Sequence, residues 1–353
     1  MKHFQSKSNP ITFNSNSNSI QSIPIQIKFK SNPIQSIQSN PIQSNLNQQP
    51  FKQRQLNQQL RLGTGKEGFA NGQFIYPFGI TFDSKKQRVI VSDAWNHRLQ
   101  FFNRYDLTHL LSVGSYGTNL AQFICPAGLC IQPSTNHLLI CDESNHRVQV
   151  WSANDEDKVQ PIYSIGRTGQ SSHANGEFNR PIGVCCSPDG SFSVVDSNNH
   201  RVQRFDAGGR FLNTFGSKGK NEDQFQDPYD VCHLHHHFAP SSSASSLLLV
   251  TDYNNKRLSI WGADGHQHIT NIQMDGRPRG VCVDLNGFMN VSCDSPHVYI
   301  YDPRKSYQLL QTLGDGQQGS APGQFYFPTG MCVDDLNTLM VVDQDNHRVQ
   351  FFD

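Results

Sequence analysis

The 353 residues carry 29 basic and 29 acidic side chains, and only 16% of the chain is charged. Eight of the basic residues and none of the acidic ones precede Glu67, so the remaining 21 face 29 carboxylates, a net −8. That balance excludes a dedicated nucleic-acid binder built on a basic domain. The longest apolar run, Ser246 to Val250, is far short of the roughly 20 residues that span a bilayer.

Residues 1–55 are low in complexity: Ser, Asn, Gln, Pro and scattered Ile, with "SNPIQS" starting at both Ser31 and Ser39. Such a stretch cannot bury enough apolar surface to offset chain entropy, so a disordered tail is expected there. The alternation over Ile20 to Phe29 has strand character, but Pro24 interrupts it. The start has no apolar core of a secretion signal. Nine cysteines contain no C-x-x-C pair and no zinc-finger or RING spacing. Free buried thiols, a cytoplasmic location and no membrane contact are the expectation.

From Leu56 to Asp353 the chain repeats itself six times, at a period near fifty residues. "DESNHRVQVW" from Asp142 has copies from Asp93, Asp196, Asp252 and Asp343, and a shortened one, "DSPHVYIY", from Asp294. A proline followed two residues later by Gly precedes each copy, at Pro77, Pro126, Pro181, Pro278 and Pro328; Pro228-Tyr229-Asp230 departs from it. Before that comes a Gly-rich loop ending in "QF" or "EF", as at Phe74, Phe123, Phe178, Phe225 and Phe325. Each unit holds four short apolar or alternating runs of strand period. Four-stranded units repeated six times predict an all-β, six-bladed β-propeller over 56–353. The last unit stops after its third strand, and "LNQQLRLG" from Leu56 is placed to supply the fourth and remove the open edge.

The recurring D-x-x-N-H-R, with its Gly-rich loop, "QF", P-x-G and apolar strands, resembles the NHL repeat. That resemblance implies a six-bladed propeller serving as a binding platform for proteins or, in some members, single-stranded RNA. Many relatives join such propellers to RING, B-box and coiled-coil modules of ubiquitin ligases. No such cysteine/histidine pattern lies upstream here, so a ubiquitin-linked role would be that of an adaptor. Two blades depart from the pattern. Blade 5 loses two turn residues, and blade 4 has Lys256 for His and the insertion "HLHHHFAPSSSASS".

Five similar copies of the turn at different azimuths around a ring, four with a His-Arg pair and one with Lys256-Arg257, suit a scaffold, not one catalytic constellation. Asp and Asn suit the tight turn, and Asn tolerates left-handed φ. Cys130, Cys185, Cys232, Cys282 and Cys332 recur at one point of the innermost strand and are expected to pack the core. His233, His235 and His237 alternate and share a strand face, which makes them weak metal candidates. The residues between Pro and Gly (or Asp230) are Phe78, Ala127, Ile182, Tyr229, Arg279 and Thr329. They are poor oxygen ligands for the axial metal of lyase or lactone-hydrolase propellers. No cofactor and no small-molecule substrate is therefore indicated. The face carrying the strand 4–1 loops and 2–3 turns gathers Tyr76, Phe78, Trp95, Arg180, Tyr229, Tyr253, Arg277, Arg279 and Phe327. Aromatic and arginine side chains on a rim are what protein hot spots and base-stacking platforms use. A protein partner is expected, with single-stranded RNA as the alternative.

Overall fold

The structure, a computed structural model, describes residues 51–154, 158–235 and 246–353. Strands β1 to β24, in chain order, form six antiparallel four-stranded sheets. Blades 1 to 5 cover residues 77–113, 126–166, 181–215, 228–273 and 278–313; blade 6 covers 328–352 and is completed by β1 (Leu56–Leu62). The first strands of neighbouring blades pack on one another around the ring, so they are the innermost. This is the six-bladed propeller expected from the repeats.

Why each blade is a sheet with two buried faces is plain in blade 2. Successive side chains of a strand point to opposite faces. In the second strand (His137–Asp142), Leu138 and Ile140 join the apolar layer shared with blade 1, and Leu139 and Cys141 the layer shared with blade 3. A strand buried on both faces needs an unbroken apolar run, and "LLIC" supplies it. The core is accordingly a set of layers between blades. The "QF" phenylalanines Phe74, Phe123, Phe178, Phe225 and Phe325 are each fully buried in one of them. Met274 is buried in the layer between blades 4 and 5, which has no such Phe. Each fully buried side chain of this size contributes about 1.5–3 kcal/mol.

The P-x-G glycine answers to the next blade. A Cβ at Gly280 would lie 2.1 Å from the Thr329 carbonyl oxygen, and one at Gly330 would lie 2.5 Å from that of Phe78. No side chain fits between backbones that close.

The ring closes as the ends predict. β1 pairs antiparallel with β24 (Arg348–Phe352), Leu62 opposite Val349 and Leu56 opposite Phe352. Of the expected tail, residues 1–50 lie outside the described residues. Residues 51–55 bind the ring ahead of β1. Gln55 and Asp353 exchange backbone hydrogen bonds of 3.0 and 2.9 Å. The buried Arg54 guanidinium pairs with Asp284 of blade 5 at 2.7 Å and donates to the carbonyls of Asn337 and Phe352 in blade 6. Phe51 meets Phe288 of blade 5 edge-on at 5.0 Å.

Candidate functional site

The repeated turn is a hydrogen-bonded knot within the blade. In blade 2 the buried Asp142 carboxylate accepts Asn145 Nδ2 (2.9 Å), Arg147 Nε (2.8 Å), Gln149 Nε2 (3.0 Å) and the Ile124 N–H (2.9 Å). Arg147 then reaches the carbonyls of Asn119 and Gln122 in the Gly-rich loop at 2.8 and 2.9 Å. Burial pushes the Asp142 pKa up, against the pull of these donors. Asp93, Asp196 and Asp343 are held alike, Gln included. Asp252 keeps the Asn and Arg but has Ser259 in place of the Gln. That Gln, seven residues after the Asp, is a member of the knot that turn chemistry does not reveal.

The histidine ties one blade to the next. His97, His146, His200 and His347 have φ of 54°, 56°, 54° and 50°. The left-handed residue of the turn is thus the His, and not the Asn expected. A 3-10 turn over the preceding three residues ends there. Each Nδ1 accepts the N–H of the residue before the next blade's proline: Cys125, Arg180, Asp227 and Tyr76, at 3.1–3.2 Å. An accepting Nδ1 is an unprotonated one. Burial lowers the pKa of His97, His146 and His200 accordingly. The His-Arg pair is scaffold.

On the face formed by these turns and loops, most of the expected rim residues meet. Phe78 of blade 1 stacks on Tyr229 of blade 4, directly across the ring, at 5.4 Å. Tyr229 stacks on Tyr253 at 5.5 Å. The Arg279 guanidinium lies between Tyr229 and Phe327 (5.3 and 5.2 Å), and Arg277 lies over Tyr253 at 5.4 Å. Tyr76 and Trp95 form a separate pair at 4.6 Å, Tyr76 meeting His347 edge-on. Trp95 is 61% exposed. Arg180 stands apart, bonded to Glu143.

Cys185 and Cys282 are buried and Cys130, Cys232 and Cys332 half-buried, all on the axial wall. Burial raises the thiol pKa of Cys185, Cys232, Cys282 and Cys332. His233 lies in the first strand of blade 4 (Pro228–Leu234), with its pKa lowered by burial, and His235 follows that strand; His237 lies outside the described residues. Among the described residues, no group of three or more His, Cys, Asp or Glu is placed to hold a metal ion.

The NHL repeat family model matches residues 123–151, 178–205 and 325–352, the first three strands of blades 2, 3 and 6 with their "F" loops. Protein brain tumor of Drosophila melanogaster is 30% identical over 149 residues, 41% of this chain and 14% of that protein. B-box type zinc finger protein ncl-1 of Caenorhabditis elegans is 29% identical over 173 residues, 42% of this chain and 18% of that protein. The matched region thus spans less than a fifth of each relative. A gluconolactonase of Xanthomonas campestris shares the fold, with a TM-score of 0.57, 14% identity, and coverage of 80% of this chain and 87% of that one. Blades 2, 3 and 6 of this six-bladed β-propeller thus match the NHL repeat, and the unmatched blades 1 and 4 are built on the same knot of Asp, Asn and Arg.

Proposed function

We propose that the protein is a non-catalytic binding propeller that takes a protein partner on the face carrying the strand 4–1 loops and 2–3 turns. The observation that carries this is the aromatic–arginine strip running from Phe78 through Tyr229, Tyr253, Arg277 and Arg279 to Phe327, with the exposed Trp95 beside it. Large amphipathic side chains held rigid by one another lose little entropy on binding and suit hot spots.

Charge favours protein over RNA. Arg180 is bonded to Glu143, and Arg277 lies 4.0 Å from Asp294. A phosphate backbone is captured by unneutralised cations, whereas these two each have a carboxylate. The stacked Tyr229 and Tyr253 are what favours the RNA reading. A place beside ubiquitin ligases rests on the B-box and the RING finger in the names of two relatives, and the cytoplasm is the compartment proposed with it. Among the described residues no helix is long and apolar enough to cross a membrane.

The test is crosslinking capture with the whole chain, comparing wild type with Trp95→Ala and Arg277→Glu and analysing protein and RNA together. Protein adducts lost in both variants, with melting temperature kept, are expected. RNA adducts lost in their place would establish the alternative, and adducts unchanged in both would remove this face from consideration. Arg279 is the wrong residue to reverse. It holds two aromatic rings and donates to Gln344 at 3.0 Å, so its loss disturbs the fold of the strip.

A further inference from the structure

Beneath the strip, a chamber of about 270 Å³ follows the propeller axis, lined by the inner strands of all six blades. Phe78 and Tyr229, stacked from opposite blades, cross the axis at its candidate-face end. Its wall is apolar and thiol-bearing, with Ile80, Val184, Val231, Cys185, Cys232 and Cys282 among its side chains. One carboxylate interrupts it. Asp230 stands where the other five blades have the P-x-G glycine.

Asp230 is unlike the other aspartates held inside the ring. Among the described residues, every fully buried aspartate sits beside an arginine, from Asp93 with Arg98 to Asp284 with Arg54. Asp230, half-buried on the chamber wall, has no cation within ion-pair distance among the described residues. Its oxygens accept only backbone N–H groups, of Val231 at 2.9 Å and Val281 at 3.0 Å. Burial without a counter-charge pushes its pKa up to about 7. The position is also crowded, since a Cβ on Gly183 would lie 2.6 Å from Asp230 Cα. An uncompensated carboxylate at a crowded site where glycine serves elsewhere is a local violation of the kind that marks function.

We propose that the axial chamber binds a small organic ammonium ion, with Asp230 as its counter-charge and the surrounding valine and cysteine side chains as the seat of its alkyl part. Hard inorganic cations want several oxygen ligands; this wall offers one carboxylate among mostly apolar groups and thiols, with Thr81, His233 and Arg279 as its other polar side chains, and Arg279 is engaged by two aromatic rings and Gln344.

The probe is hexylammonium chloride, titrated calorimetrically at pH 8 into the full chain and into its Asp230→Asn and Asp230→Gly variants. Asn keeps the shape and Gly restores the residue of the other blades, so both fold; circular dichroism checks that. Wild type is expected to bind, and both variants to bind roughly 30-fold more weakly or worse, as for the loss of one partner of a buried charge pair. Neutral 1-hexanol and potassium chloride are expected to bind no better to wild type than to the variants. The proposal is overturned if wild type does not bind, if the variants bind equally, or if 1-hexanol matches hexylammonium. Potassium matching it would overturn the organic cation.

Discussion

Blade 2 and blade 5 share a four-strand plan and differ in what their turns do. In blade 2, Asp142, Asn145, Arg147 and Gln149 close the blade on itself, and His146 fastens it to blade 3. In blade 5 the shortened turn leaves Asp294 accepting the Arg277 N–H at 2.8 Å, and His297 Nδ1 is buried without a hydrogen bond. The blade 4–5 seam also lacks the bridge, Lys256 standing where the His would be. Blade 5 is held instead from outside the repeat, by Arg54 on Asp284 and Phe51 on Phe288. Where the repeat is regular its polar side chains hold the ring together. Where it degenerates, other residues take the load, and the arginines and Asp230 become available for the face and the chamber.

The largest break comes from removing the residues that compensate for that irregularity. Deleting 51–62 takes away the closing strand and the Arg54 anchor together, and the chain is expected to aggregate on purification. An unchanged melting curve would contradict the closure. Next in size, Asp142→Ala leaves Arg147 buried and unpaired, at a cost of about 3–5 kcal/mol. Asp294→Ala, at a half-exposed pair, is expected to cost under about 1 kcal/mol. Urea unfolding of the two variants side by side measures the contrast between the blades directly.

A smaller effect separates the histidine bridges by pH. His146 must be neutral to accept the Arg180 N–H, and its pKa in the folded ring is lowered below 6.5 by burial and by Arg180. Its contribution is therefore complete above pH 6.5 and lost as pH falls through the lowered value. His146→Asn keeps a residue tolerant of left-handed φ and is expected to cost at most about 1 kcal/mol at pH 7.5, the ring edge being open to water. The difference from wild type should shrink toward zero at pH 5. A difference that stays constant would mean that the ring nitrogen is not the acceptor. The smallest expected effect is that of Trp95→Ala on stability, within about 0.5 kcal/mol for an exposed side chain, although the partner should be lost.

The ring was legible because its evidence is repetition. Six anchoring aspartates, five P-x-G triplets and a strand missing at one end and spare at the other define blades and closure without any contact being known. The departures of blades 4 and 5, Lys256, Asp230 and the shortened turn, stand out by the same comparison. What they do was not legible, because a ring brings together residues far apart in sequence. Phe78 meets Tyr229 only because blades 1 and 4 are opposite, and nothing near Asp230 in the chain says that no arginine reaches it. Arg54 and Phe51 were hidden for another reason. They end a stretch whose composition argues for disorder, and their partners lie in blade 5, more than two hundred residues on.

The central claim is that the turns hold the ring while the irregular sector of one face binds the partner. Residue-level crosslinking mass spectrometry of the captured complex tests it most directly. Adducts are expected on that face, on the loops of blades 4, 5, 6 and 1 around Tyr253, Arg277, Phe327 and Trp95. Adducts confined to the turns of blades 2 and 3, or to the opposite face, would contradict it.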